Sequence, residues 1–285
     1  MIIKLAEHYG LCFGVRDALK QAEQLAQHAP LTILGELVHN PIIRERLAAH
    51  GVSEGDPARF ETSRSRQVMI SAHGASDRAR QGWKQAGFGV ADGTCPLVRH
   101  AHDQLKTLVS LGYFPVVIGK LGHVEVVGLT GDFPEAHVIG ALADVARLPK
   151  RERYGVISQT TQPLDKVLAL VQEIRSSNPE SEVRFCDTVC RPTKDRQNAL
   201  KKLLAEVDVL VVVGGRNSNN TRQLVETATA AGVPAHHIER AEELEAKWFQ
   251  GGEVVGLTAG TSTLHETVAA VRERLLQIAQ TFKQP

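Results

Sequence analysis

The sequence predicts an α/β fold, because short apolar runs alternate along it with amphipathic segments at helical spacing. Continuous runs of Val, Ile and Leu that end in Gly-rich or polar turns are typical of strands buried on both faces of a parallel sheet. The clearest runs are LTILGELVHN (31–40), QVMISAHGAS (67–76), FPVVIGKLGH (114–123), YGVISQTTQ (154–162), VLVVVGGRNSNN (209–220) and EVVGLTAGTS (253–262).

Helical patterns lie between these runs. Apolar residues recur every three or four positions from Val15 to Ala26, and again from Leu97 to Val109. At 285 residues the chain is too long for one small core, so its length predicts two or three compact units.

The charge balance excludes some classes of partner. With 33 basic and 32 acidic residues the net charge is +1, so we expect neither nucleic acid nor an anionic membrane as a partner.

The start MIIKLAEHYG lacks the features of a signal peptide. The apolar stretch 207–213 is broken by Asp208 and is far shorter than the ~20 residues of a membrane helix. We therefore expect a cytoplasmic protein.

The six apolar runs end in residues that can bind a ligand. Ligands of α/β proteins sit outside the carboxyl ends of the strands. Ordinary turn chemistry explains one or two such ends, whereas six favour a lined cavity. The residues are His39, His73, His123, Ser158, Thr160, Ser218, Asn220 and Ser262.

Three of the four cysteines share a local setting. Cys12 lies just before the first helical pattern, Cys95 directly precedes Pro96, and Cys190 lies two residues before Pro192. They are spaced by 83 and then 95 residues, close to thirds of the chain. We infer three pseudo-equivalent α/β units, each with one thiol at a helix N-terminus, where the thiolate is favoured. Three such thiolates could hold an iron–sulfur cluster.

Other uses of the cysteines stay open at this point. A single Cys is most often a small buried hydrophobe, and Cys186, in the strand-like VRFCD, is our candidate for a structural thiol. Structural zinc sites usually contain close pairs such as C-x₂-C, which this sequence lacks. A zinc-dependent phosphohydrolase and a non-enzymatic iron–sulfur carrier both remain alternatives.

An ordered set of short motifs resembles the 4-hydroxy-3-methylbut-2-enyl diphosphate reductase family, IspH/LytB. Any single motif is weak, but together they span nearly the whole chain. They are GLCFGV (10–15), ELVHN (36–40), SAHG (71–74), DGTCP (92–96), GHVEVVG (122–128), SQTT (158–161), Cys190 with Arg196 and Gln197, NSNN (217–220) and TAGTS (258–262).

The resemblance implies a cloverleaf of three α/β domains around a central 4Fe–4S cluster. We expect domains at residues 13–95, 96–186 and 187–285, the last completed by the N-terminal strand in residues 1–12. The implied cluster ligands are Cys12, Cys95 and Cys190, with one iron left open. The implied reaction removes the C4 hydroxyl of the substrate with two electrons and two protons, giving isopentenyl and dimethylallyl diphosphates. The electron donor would be a ferredoxin or a flavodoxin.

The resemblance also implies roles for individual residues. Glu125 is expected to supply a proton, with His123 and Thr160 in its relay. The sequence contains neither common phosphate-loop motif, so side chains must hold the diphosphate. The implied substrate ligands are His39, His73, His123, Thr160, Ser218, Asn219, Asn220 and Ser262.

Two positions depart from the family pattern. Val124 stands where the family often has Pro, and Ser158 stands where Thr is common. Because Pro restricts the residue before it to extended geometry, we expect Val124 to loosen the placement of Glu125. These departures leave room for an iron–sulfur paralogue that acts on another small phosphorylated substrate.

Overall fold

The computed structural model describes residues 1–282 and confirms the α/β class. Its strands form three four-stranded sheets in which all neighbours are parallel. Each of the six predicted runs contains a strand. The strands are β1 (Ile2–Leu5), β2 (Leu31–Leu34), β3 (Ser53–Gly55), β4 (Gln67–Ile70), β5 (Gly89–Asp92), β6 (Phe114–Ile118), β7 (His137–Ile139), β8 (Arg153–Ser158), β9 (Glu182–Phe185), β10 (Val209–Val213), β11 (Ala235–Ile238) and β12 (Val254–Ala259).

Helices connect the parallel strands, and both predicted helical patterns are confirmed, as α1 and α4. The helices are α1 (Phe13–Ala26), α2 (Pro41–Ala49), α3 (Asp77–Gln85), α4 (Pro96–Ser110), α5 (Val124–Thr130), α6 (Leu142–Val145), α7 (Leu164–Ser177), α8 (Arg191–Leu204), α9 (Asn219–Ala230) and α10 (His265–Thr281). Short 3₁₀ helices lie at Phe60–Thr62, Ala241–Glu243 and Ala246–Trp248. Within residues 1–282, no helix combines the length and the apolar character that crossing a membrane requires.

The three sheets have one strand order. They run β3-β2-β4-β5, β7-β6-β8-β9 and β11-β10-β12-β1. In the third sheet the edge position is filled by the N-terminal strand, because β1 pairs with β12 from Ile2 opposite Val254 to Leu5 opposite Leu257. The three sheets are therefore equivalent in topology, and the third is circularly permuted.

Contacts divide the chain into two compact units. The first unit contains residues 1–13, 39–43 and those from 191 onward, and it holds the sheet of β1, β10, β11 and β12. The second unit contains residues 14–38 and 44–190, and it holds the other two sheets. The bounds 13–95, 96–186 and 187–285 stay a prediction for the individual domains.

The buried strands explain why the apolar runs are continuous. All five residues of β6 are buried. Val116 and Ile118 pack with apolar residues of α7, whereas Val117 packs with residues of α4 and α5. Successive side chains of a strand point to opposite faces, so helices on both faces require an apolar residue at every position. Each fully buried Val or Ile contributes about 1.5–3 kcal/mol through removal of apolar surface from water.

A glycine sets the distance between α4 and its sheet. A Cβ atom at Gly155 of β8 would lie 2.9 Å from the Cβ atoms of Leu108 and Tyr113. We expect Gly155→Ala to lower the free energy of unfolding by about 1–3 kcal/mol, because the added methyl group overpacks this contact. Urea unfolding measures the change. Gly252→Ala is the control, since no atom lies within 4 Å of a Cβ there; equal stability of the two variants would contradict the prediction.

Candidate active site

The three cysteines occupy equivalent positions in the three sheets. Cys12, Cys95 and Cys190 directly precede α1, α4 and α8, in agreement with their predicted place at helix starts. Each cysteine N–H donates to the carbonyl two residues beyond the end of the strand next to its own. These bonds are Cys12 to Thr261 at 2.9 Å, Cys95 to Ala72 at 3.1 Å and Cys190 to Thr160 at 3.0 Å. The same backbone hydrogen bond thus fixes each of the three thiol-bearing residues in its sheet.

The surroundings of these thiols fit an iron–sulfur cluster. Within the described chain no disulfide is present, and each thiol is partly exposed. A Cβ atom at Gly14 would lie 2.4 Å from Cys95 Sγ, so only glycine leaves the space that this sulfur occupies. The start of a helix stabilises an anionic sulfur, and thiolates are the usual ligands of such clusters.

Cys186 has a different setting. It follows β9, its N–H donates to the carbonyl of Val156 at 2.9 Å, and it packs against the apolar cluster that includes Val117 and Ile157. It does not precede a helix. This placement supports the structural role that we expect for it.

One set of predicted substrate ligands recurs at the fifth residue after a strand. His39, His123 and Ser218 hold this position after β2, β6 and β10, and a helix begins within two residues of each. His123 Nδ1 accepts from the Glu125 N–H at 3.1 Å, and Ser218 Oγ accepts from the Thr221 N–H at 3.3 Å. The side chains of His123 and Ser218 therefore cap helix starts, so the positions of these two residues are well defined.

A second set follows the neighbouring strands. His73 and Ser262 are the third residues after β4 and β12, and Thr160 is the second residue after β8. The His73 ring meets the His123 ring edge-on, with ring centroids 5.6 Å apart. The second unit therefore brings together two imidazoles that the sequence placed 50 residues apart.

The first unit contains buried hydrogen-bond donors that no acceptor in the described chain satisfies. Asn220 is 3% exposed and Ser262 is 4% exposed, and neither Asn220 Nδ2 nor Ser262 Oγ has a partner. Asn220 Nδ2 lies 3.5 Å from the position that a Cβ atom of Gly260 would take. Asn219 is buried beside them at the start of α9. Unsatisfied buried donors are costly, and a helix N-terminus favours anions, so this group suits an oxyanion.

Glu125 is buried in the second unit. It lies in the first turn of α5 and is 2% exposed. Oε1 accepts from the Thr160 N–H at 2.6 Å, and Oε2 accepts from the Thr160 hydroxyl at 3.1 Å. Burial raises the pKa of this carboxyl to about 7, although both hydrogen bonds from Thr160 lower it. Near neutral pH the group therefore exists in both protonation states.

The loosening that we expect at Val124 stays a prediction, and the structure shows what restrains the backbone at this position. His123 keeps an extended conformation, with φ −66° and ψ 137°, although no Pro follows it. Its ring accepts the Glu125 N–H and caps α5, which begins at Val124. This cap restrains the backbone directly before Glu125.

Two residues that we did not predict for the site hold its loops. Asn40 is buried and donates from Nδ2 to the Ser262 carbonyl at 2.6 Å. Gln159 is buried, and its Oε1 accepts from the Lys120 N–H at 3.1 Å, which ties the loop before His123 to the loop that contains Thr160. Both stand beside predicted site residues in the motifs ELVHN and SQTT, and that adjacency was the available signal.

Known proteins resemble the chain over nearly its whole length. A sequence model of the LytB protein family matches residues 3–276. A relative from Aquifex aeolicus, named 4-hydroxy-3-methylbut-2-enyl diphosphate reductase, is 36% identical over 284 residues, which is 98% of this chain and 97% of the relative. A relative of the same name from Geobacter sulfurreducens is 37% identical over 278 residues, covering 96% of this chain and 97% of the relative.

Solved structures agree with the fold. The structure titled as E-1-hydroxy-2-methyl-but-2-enyl-4-diphosphate reductase from Plasmodium falciparum matches with a TM-score of 0.88 and 26% identity, covering 95% of this chain and 87% of that one. A second, titled as (E)-4-hydroxy-3-methyl-but-2-enyl diphosphate reductase, the terminal enzyme of the non-mevalonate pathway, matches with a TM-score of 0.69 and 35% identity. It covers 97% of this chain and 100% of that one.

The burial of Glu125 predicts a pH-dependent stability. Its pKa rises from 4.5 to about 7 on folding, so the folded state retains a proton that the unfolded state loses between these values. The contribution of Glu125 to stability is therefore complete below about pH 4.5 and falls as the pH rises towards 7. Glu125→Gln does not titrate, so the variant should gain stability relative to the wild type as the pH rises from 4.5 to about 7 in urea unfolding. An equal difference at both pH values would contradict the buried, titrating carboxyl.

Proposed function

Because this chain belongs to the LytB family, we propose that it reduces (E)-4-hydroxy-3-methylbut-2-enyl diphosphate to isopentenyl and dimethylallyl diphosphates, the last step of the non-mevalonate isoprenoid pathway. Two electrons and two protons enter, the C4–O bond breaks, one water leaves, and a C–H bond forms. One observation carries the proposal beyond the resemblance. The Glu125 carboxyl is buried, accepts two hydrogen bonds from Thr160 and can hold a proton near neutral pH.

We further propose that Cys12, Cys95 and Cys190 hold a 4Fe–4S cluster. Their equivalent places at helix starts and their equivalent backbone hydrogen bonds support a joint role. When bound, such a cluster supplies the electrons and an iron without a cysteine ligand, open to a substrate oxygen. A ferredoxin or a flavodoxin is the proposed donor. We place the reaction in the cytoplasm, where thiols stay reduced.

The diphosphate is assigned to His, Ser, Thr and Asn side chains. Asn220 and Ser262 support this assignment best. Their buried donors have no acceptor within the described residues, and an oxyanion would provide one. The N-terminus of α9, capped by Ser218, adds a favourable field for negative charge. The proposed ligands are His39, His73, His123, Thr160, Ser218, Asn219, Asn220 and Ser262.

Glu125 is the proposed proton source. An oxygen that leaves as water is a far better leaving group than hydroxide, and general acid catalysis of this kind is worth ~10²–10⁴-fold. The Thr160 hydroxyl, 3.1 Å from Oε2, can pass the proton on. His123 Nδ1 accepts the Glu125 N–H, which selects the neutral tautomer with its proton on Nε2, a donor towards an anionic ligand.

The departure at Ser158 does not argue for another substrate. Ser158 is fully buried, its N–H donates to Thr188 Oγ1 at 2.9 Å, and its own hydroxyl lies 3.3 Å from the same atom. Its contacts are thus within the protein interior.

The acid is tested by Glu125→Gln. The amide can keep both contacts with Thr160 but holds no transferable proton, so iron content and substrate affinity should be unchanged while kcat falls by roughly 10²–10⁴-fold. The wild-type kcat should decline as the pH rises through about 7. The matched control is Glu152→Gln at an exposed position. Full turnover by Glu125→Gln would refute the assignment.

The cluster ligands are tested by two Cys→Ser changes near each other in the sequence. After anaerobic purification, Cys190→Ser should contain less iron and absorb less visible light than the wild type, because one thiolate ligand is lost. Cys186→Ser should match the wild type, because Cys186 packs in an apolar cluster. Iron assays and absorption spectra give the answer, and an iron-free wild-type protein would sink the cluster proposal.

A further inference from the structure

The face of α5 that carries Glu125 continues beyond the end of the helix. Glu125, Gly128 and Asp132 are spaced by three and then four residues, so they lie on one side of the helix and its last turn. This side contacts the segment 74–78, which links His73 to the start of α3.

Two glycines allow backbone to lie on backbone at this contact. A Cβ atom at Gly128 would lie 3.3 Å from the Gly74 carbonyl oxygen and 3.4 Å from the Ala75 Cα atom. A Cβ atom at Gly131 would lie 2.8 Å from the Ser76 Cβ atom. We call these two glycines the glycine seat of α5. A methyl group at Gly131 would overlap Ser76, and one at Gly128 would require a shift of a few tenths of an ångström. The position of α5 against residues 74–76 is therefore narrowly defined.

Asp132 connects the end of α5 to the start of α3. Its two carboxylate oxygens accept from the N–H groups of Asp77 at 2.7 Å and Arg78 at 2.9 Å, the first residues of α3. His102 Nε2 of α4 lies 3.0 Å from the same carboxylate. A negative charge at a helix N-terminus is favourable, and charged acceptors form the stronger hydrogen bonds. One side chain thus joins α3, α4 and α5.

Asp77, His102 and Asp132 lie close enough together to suggest a cation site, but the oxygens of both carboxylates already accept hydrogen bonds. Asp77 accepts from Arg80 at 2.6 Å and from Lys106 at 3.1 Å. Both oxygens of Asp132 are engaged by backbone N–H groups. We therefore interpret the cluster as a structural contact that holds three helices together. We call Asp77, His102, Asp132 and the glycine seat the joint.

We propose that Asp132, together with the glycine seat, is a positioning residue for the acid: it holds α5 against the His73 segment and keeps Glu125 out of water. A cleft of about 80 Å³ runs along the joint, lined by His73, Gly74, His102 and Gly128 among others. It has room for a few water molecules. Glu125 does not line this cleft, but it lies one helical turn before Gly128, which does. A displacement of α5 would therefore bring the surroundings of Glu125 closer to the water in the cleft. This inference rests on the proposed function, in which Glu125 is the proton source.

Two substitutions test the joint in different ways. Asp132→Asn removes the charge but keeps the shape, and Gly128→Ala pushes α5 away by a few tenths of an ångström. In both variants kcat should fall roughly tenfold, since small misplacements are costly in catalysis. The alkaline limb of the kcat profile should move down by about one pH unit, because a wetter carboxyl ionises more easily. Gly82→Ala in α3 is the control, since its Cβ would meet only Phe60 Cζ at 3.7 Å.

A measurement without turnover complements the kinetics. The pH-dependent stability difference between the wild type and Glu125→Gln, taken by urea unfolding, should shrink when both proteins also carry Gly128→Ala. An unmoved alkaline limb, or variants that match Gly82→Ala, would overturn the positioning role. If Glu125→Gln loses turnover while the joint variants do not, the positioning role falls and the proposed function stands. Full turnover by Glu125→Gln would show that Glu125 is not the proton source, and it would refute the proposed acid and the positioning role together.

Discussion

In the second unit, the proposed acid and a proposed cluster ligand both depend on hydrogen bonds with one residue, Thr160. Thr160 donates its N–H and its hydroxyl to the two oxygens of Glu125, and its carbonyl accepts the N–H of Cys190. The proposed acid and a proposed cluster ligand are thereby held by the same few backbone atoms. Two of these three bonds involve the backbone, so they survive a change of side chain at this position. The loop itself is fixed by Gln159, which ties it to Lys120.

The same solution recurs in all three sheets. The three sheets share one strand order, and the carboxyl ends of their parallel strands lie at the same edge of each sheet. At that edge, an N–H group after the outer strand donates to a carbonyl after the neighbouring strand. The cysteine follows the edge strand, and the polar residues follow the two central strands. Equivalent backbone positions therefore carry different chemistry: Glu125 and Asn220 both occupy the seventh residue after their strands.

Much of this arrangement could be predicted from the sequence, because buried parallel strands are continuous apolar runs and because Pro96 marks a helix start. Helix α5 could not. Its residues VEVVGLT are rich in β-branched types and contain a glycine, which together favour other structures. The helix is stabilised by the His123 cap and by the contact with residues 74–78, which are distant in sequence. For the same reason nothing local in the sequence distinguished Asp132 from a surface carboxylate.

The pairing of β1 with β12 has a consequence for biosynthesis. Ile2 leaves the ribosome well before its partner Val254, which follows about 250 residues later. The second unit can be complete in sequence well before that point, since it ends at residue 190. During translation β1 must therefore wait without its partner strand, and contacts of such long sequence separation form slowly. The setting of Cys12 is accordingly finished last, although Cys12 is the first of the three cysteines to be made.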